Sequence, residues 1–282
     1  PTLCRMRQAL ACLCHPDGRI ALFNDSAFSV YNEPSQLLGA QPIGKAGPWA
    51  LPDAGYYGYR GDDGSYIVCD AGPVGPDYLP GHAHGDIFSF ELSLRGARVV
   101  VDSGVYDYDS GESRHFCRST RAHNTVEIDG QDQCEFWGAF RVARRGHPYD
   151  VRWEPTPEGF CLSGRHDGYG RLPGAPSHQR TFVWDRLQGL TVTDRVTADR
   201  MVHVVSRIHL HPDCRIAELG KSEAVIECQG ESLRFSFKGA GSLTEEISSY
   251  HPEFGACFQN KCLCLTMVGT DLSFGYRVSS KE

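Results

Sequence analysis

Between Gly81 and Asp86 the chain reads GHAHGD, which sets His82 and His84 two residues apart with Asp86 next in the row. In an extended strand alternate side chains share a face, so this spacing aims two imidazoles the same way. Two imidazoles and a carboxylate form a donor set that zinc accepts in a tetrahedral shell. Asp102 follows in Asp102-Ser103-Gly104, after the apolar run Ala97–Val101, and His123 stands in Ala122-His123-Asn124. If hairpin pairing joins His84 to Asp102, His123 is the best third ligand. The plainer alternative is that a histidine near a turn serves as a surface or hydrogen-bonded residue. Asp102 equally suits a turn, because an aspartate side chain bonds the backbone two residues on.

Other residues carry weaker signals. Arg114, Arg118 and Arg121 form a row at spacings of four and three, suited to binding acidic sugars or to salt bridging on a solvated face. Phe136 and Trp137 could stack on a sugar ring, with burial in the core the plainer reading. Glu127, Asp129 and Asp132 raise a two-carboxylate glycosidase, against the commoner case of solvated acids on a strand and turn.

The elements that must hold these residues are mainly β. With 282 residues, 40% of them hydrophobic, the chain can bury a sizeable core without staples. Its 31 glycines and 16 prolines favour many turns. Leu3, Met6, Leu10 and Leu13 recur at helical spacing until His15-Pro16-Asp17-Gly18 breaks the pattern, so one short helix is expected over 3–14. From Tyr56 the signal turns strand-like. Asp62-Asp63-Gly64 and Arg95-Gly96 each close a hairpin, the second pairing Ile87–Leu94 with Ala97–Val101. Further strands are expected at Thr125–Ile128, Gly159–Gly164, Gln179–Trp184, Gly189–Val196, Met201–Leu210, Glu223–Cys228, Leu233–Phe237 and Cys262–Val268. Turns every ten residues or so give the rhythm of a β-sandwich.

A net charge of −7 argues against a nucleic-acid footprint, and no apolar run is long enough for a membrane-spanning helix. The twelve cysteines include no CxxC pair, so a four-cysteine zinc ribbon has no support and mostly buried thiols are expected, a few disulfides being the less favoured alternative. A start on Pro1 suggests a fragment or a processed protein.

Three segments together, GHAHGDIFSFEL, VVVDSGVYDY and SRHFCRSTRAHNTVEIDG, resemble the C-terminal sheet domain of the heparinase II/III-like polysaccharide lyases, a superfamily that includes alginate lyases. The opening HPDGRIALFNDSAF resembles the stretch leaving the last helices of that family's α/α toroid. The resemblance implies a toroid remnant over 1–38 and a large antiparallel β-sandwich, preceded by a short helix, over 39–282. It implies one zinc ion, mainly structural, held by His84, Asp102 and His123, with His82 facing the substrate in a catalytic role. A catalytic tyrosine would correspond to Tyr106 or Tyr108, and Arg114, Arg118, Arg121 and Asn124 would line the substrate side. The expected partner is an acidic, uronic-acid-containing glycan cleaved by β-elimination, in a periplasmic or secreted full-length protein compatible with a homodimer. Family enzymes also draw an asparagine or histidine and a tyrosine from the toroid, of which this chain has almost none. A non-catalytic glycan-binding or structural sandwich retaining zinc is therefore the alternative.

Overall fold

The computed structural model describes residues 2–39 and 44–281. Two antiparallel sheets enclose the main core. The first is a meander in chain order: β1 (Gly47–Leu51), β2 (Tyr56–Arg60), β3 (Tyr66–Asp70), β4 (Phe90–Leu94) and β5 (Ala97–Val100). The expected Arg95-Gly96 turn joins β4 to β5 with φ of +50° and +87°, the signature of a two-residue type I′ hairpin whose twist matches the strands.

The second sheet contains β6 (Val126–Ile128), β9 (Pro148–Thr156), β10 (Gly159–His166), β11 (Ser177–Asp185), β12 (Gly189–His209), β13 (Cys214–Leu219), β14 (Glu223–Cys228), β15 (Glu231–Lys238), β16 (Ser242–Tyr250) and β17 (Phe258–Ser280). Its order is β13-β14-β15-β17-β12-β11-β10-β9, with β16 added on β17 and β6 on β12. The short ladder β7 (Phe136–Trp137) and β8 (Arg141–Val142) stands apart. Alternation along β11 turns His178, Arg180, Phe182 and Trp184 inward. Between the sheets Phe90 meets Phe182 edge-on at 5.7 Å, and Tyr59 meets Trp184 at 5.8 Å.

The sandwich is the expected one, with local differences. The strands expected at Gly189–Val196 and Met201–Leu210 are a single strand, β12, interrupted by a register shift between Thr197 and Val202. Strands β1, β7, β8, β9, β13 and β16 carried no expectation. β16 is mostly exposed, so it has no apolar period to read. The cysteines are all free thiols; Cys214 and Cys228 face each other in register without a disulfide between them.

Helix α1 (Thr2–Cys12) forms as expected, yet Leu3 and Met6 are 62% and 64% exposed. Their apolar edge is turned mostly outward. Helix α2 (Pro34–Leu38) follows, and α3 (Glu112–Arg118) lies between the sheets in sequence. The chain after α1 is tied to the first sheet: Arg98 donates to Asp17 and to the carbonyls of Arg19 and Ile20, and Glu91 accepts from the Leu22 amide. That anchorage carries residues 24–25 to the functional corner. Among the described residues no helix is long and apolar enough to cross a membrane.

Candidate active site and metal centre

The GHAHGD segment is not the expected strand. Pro80–His82 form one 3-10 turn and His84 follows in irregular chain. Pro80 fixes its own φ and withholds an amide donor, while Gly85 lies so close to Thr120 that a Cβ there would meet Oγ1 at 2.6 Å. The two imidazoles thus share no strand face. They meet instead through a residue that sequence reasoning did not single out, Asp25.

Asn24 takes a left-handed φ of +56°, which asparagine tolerates better than most residues, and turns Asp25 inward. Asp25 Oδ2 accepts from His82 Nδ1 at 2.8 Å, and Oδ1 accepts from His84 Nε2 at 2.9 Å. The Arg114 guanidinium forks onto both oxygens, with Nη2 at 2.9 Å from Oδ2. Burial alone would raise the Asp25 carboxyl, but hydrogen bonds and charge from His84 and Arg114 hold it well below the usual carboxylate range. His84 is fully buried, and burial outweighs its bond to Asp25, pushing the imidazole down to about 4. The His82 side chain is 54% exposed.

His123 approaches from the turn after α3. Its Nδ1 lies 2.7 Å from Asp102 Oδ2, while Asp102 Oδ1 accepts from the Gly104 amide at 3.1 Å. Burial opposes charge on His123, yet the adjacent Asp102 carboxylate wins and raises the imidazole. The rings of His84 and His123 lie 5.3 Å apart, and His84 Nδ1 and His123 Nε2 have no partner among the described residues. A buried polar atom left unmet costs roughly 1–3 kcal/mol, so two in adjacent rings call for a ligand. In donor type and burial the pair fits zinc, each imidazole having its other nitrogen held by a carboxylate, the usual outer support of a metal-bound histidine. Asp102 and His123 are thus brought together as expected. Among the described residues, however, no three such donors are grouped around one point, and Asp102 acts first as the support of His123. Asp86, also buried, is within electrostatic reach of both rings.

The tyrosines separate. Tyr108 packs 5.8 Å from the His82 ring, edge-on to Phe140 and Phe254, with the Arg114 guanidinium over its face at 4.9 Å. Tyr106 turns to His251 at 5.4 Å. The arginine row also divides. Arg114 is buried on Asp25; Arg118 is buried too, donating to the carbonyls of Ala83, Gly138, Ala139 and Arg141, with burial lowering it to about 10. Only Arg121 is exposed. Asn124 does not face a cleft: it is fully buried, its amide donating to the Phe90 and Val101 carbonyls and accepting from the His209 amide. It ties strands together because a planar amide can bridge several backbone groups at once.

Trp137 is 54% exposed under the Arg141 guanidinium, against its expected burial, because Phe136 and Val142 take the core side of the β7–β8 ladder and alternation turns Trp137 and its partner Arg141 outward. Phe136 is half-buried beneath Arg118. Glu127 pairs with Arg207, Asp129 with Arg200, and Asp132 accepts from the Thr120 amide, so these acids are occupied individually and form no catalytic couple.

A family profile described as "Heparinase II/III-like, C-terminal" matches residues 43–272. A heparin-sulfate lyase of Pedobacter heparinus is 27% identical over 157 residues, covering 53% of this chain and 21% of that protein. Among solved structures, a heparinase III (the BT4657 gene product) superposes with TM-score 0.77 at 16% identity over 96% of this chain and 45% of its own. The heparan sulfate lyase HepC of Pedobacter heparinus gives TM-score 0.76 at 19% identity, over 97% and 46%. The chain thus spans about a fifth of that curated relative and under half of those solved chains. With its profile match covering most of its length, the chain belongs to the Heparinase II/III-like, C-terminal family.

Proposed function

We propose that this chain is the sheet-domain portion of a polysaccharide lyase that cleaves an acidic, uronic-acid-containing glycan by β-elimination. The observation that carries the reading is the half-exposed His82, anchored through Nδ1 on Asp25, beside Tyr108 and next to a buried histidine pair with two nitrogens to spare.

In such a reaction the C5 proton leaves, the C4–O4 bond breaks and a C4=C5 double bond forms. The proton is weakly acidic, so the neighbouring carboxylate must be neutralised while enolate-like charge develops. His82 is suited to take the proton through Nε2, and the Tyr108 hydroxyl is suited to protonate the departing O4. Exposed Arg121 and Trp137 offer a charge and a stacking face for acidic sugars.

His84 and His123 would hold a zinc ion, with Asp102 as third ligand or as the support of His123. The ion would supply positive charge and fix the corner's geometry, while the chain's own groups move the protons. Names of related proteins support a heparan-type glycan, and the family supports a periplasmic or secreted setting.

The test is incubation of the protein with heparan sulfate, chondroitin sulfate and alginate while following ultraviolet absorbance of the unsaturated uronyl product. New absorbance that vanishes in His82→Ala, with zinc retained, is the expected result. Binding without absorbance would favour a glycan-binding sandwich with a structural zinc. New reducing ends without absorbance would mean hydrolysis.

A further inference from the structure

We infer that Asp25 is a positioning residue that decides which ring nitrogen His82 and His84 each present. An ionised carboxylate has only acceptors. The Arg114 guanidinium donates to both oxygens of Asp25, a fork that pairs the carboxylate in its acceptor-only form. Every group facing it must therefore donate. His82 Nδ1 at 2.8 Å and His84 Nε2 at 2.9 Å then each carry a hydrogen, and the opposite nitrogens, His82 Nε2 and His84 Nδ1, are left bare.

For His82 this is the less common tautomer, since a free imidazole side chain prefers its proton on Nε2. The ring is half-exposed, so solvent alone would not impose the choice. Asp25 imposes it, and so delivers a bare Nε2, the form that can accept a proton. For His84 the same carboxylate leaves the buried Nδ1 without a partner, a lone pair directed away from Asp25 and available to a metal. One side chain, brought from the segment after α1 rather than from either sheet, thus sets the proton acceptor and one metal donor together. Arg114 completes the device. Its guanidinium is clamped by the Ala139 carbonyl at 2.9 Å and covered by Tyr108 and Phe140, which fixes the carboxylate in turn. The tautomer of each histidine follows from its bond to Asp25, as the second ring nitrogen's partner ordinarily dictates.

The inference rests on the roles proposed for His82 and for the His84–His123 pair, but its test needs no turnover. Proton–nitrogen correlation spectra of the 15N-histidine-labelled 282-residue chain, in alkaline buffer where the rings are neutral, report the tautomer of each imidazole; comparison with His82→Ala and His84→Ala assigns the signals. Expected in the unmodified chain are a proton on His82 Nδ1 and a proton on His84 Nε2. In Asp25→Asn, close in shape but no longer acceptor-only, His82 should revert to a mixture dominated by the Nε2–H form, and zinc affinity should fall 10- to 100-fold, the usual effect of losing such a support. A proton on His82 Nε2 in the unmodified chain would overturn the inference, even if the variant does not fold. So would unchanged tautomers and zinc affinity in a folded Asp25→Asn. Failure of the lyase reading would show separately, as intact tautomers without any unsaturated product.

Discussion

Two clusters in this protein are built from the same parts, histidine, aspartate and arginine, and they behave oppositely. On β10, β11 and β12, Asp194 accepts from Arg180 Nε at 2.7 Å, Arg180 Nη2 at 2.9 Å and His178 Nε2 at 2.8 Å. His178 Nδ1 meets His166 Nε2 at 2.9 Å, His166 Nδ1 accepts from the Gly168 amide, and Arg180 spends its remaining donors on the Phe88 and Asn124 carbonyls and Ser206. These side chains are buried and satisfied. Around Asp25 and Asp102, by contrast, His84 Nδ1, His123 Nε2 and Arg118 Nη2 are buried with no partner among the described residues, while His82 opens to solvent. A saturated polar cluster fixes strand register and has nothing left to offer a ligand. An unsaturated one has paid desolvation without return, and a ligand is the means of recovering it.

The sharpest break of that contrast is Arg180→Met. It leaves the Asp194 carboxylate buried without its guanidinium, and a loss of about 3–5 kcal/mol is expected in urea unfolding, with zinc binding per folded molecule unchanged. Next in size is the metal. Zinc at a hundredfold excess over its dissociation constant should stabilise the unmodified chain by about 2.7 kcal/mol, and His84→Ala or His123→Ala should abolish that gain in the same titration.

Acid should separate the clusters as well. Burial would raise the Asp194 carboxyl, but Arg180 and His178 outweigh it and hold it at about 2. A depressed folded value stabilises above the unfolded value, near 4, and the benefit fades as pH falls from there towards 2. The expected loss is about 2 kcal/mol, read from unfolding midpoints across that window, and Asp194→Asn should remove this component of the pH dependence. The smallest effect belongs to the exposed rim. Trp137→Ala should weaken oligosaccharide binding by about 1 kcal/mol in calorimetry and change stability by less than about 0.5 kcal/mol.

The sequence exposed the saturated half of the fold better than the site. Hairpin turns such as Arg95-Gly96 and alternating strands such as Gln179–Trp184 were legible because turn chemistry and a period of two are local properties. β16 was hidden because an exposed strand needs no apolar alternation. His84 and His123 were found by motif and resemblance, but the relation of His82 to His84 was misread: spacing suggested a shared strand face, whereas the structure joins them through a carboxylate 57 to 59 residues earlier. Nothing local distinguishes Asp25 from any other aspartate in a turn. Its role comes from long-range anchorage by Arg98 and Glu91, and such contacts leave no period in the sequence. Asn124 was misassigned for the same reason, since its motif announced importance without revealing that its amide is spent on backbone groups.

The most direct measurement is zinc content, by elemental analysis after dialysis, in three folded variants side by side: His84→Ala, His123→Ala and His178→Ala. Zinc retained in the unmodified chain and in His178→Ala, and lost from the other two, is the expected result. No zinc in the unmodified chain, or equal loss in all three variants, would contradict the claim that the unsaturated cluster is the ligand site.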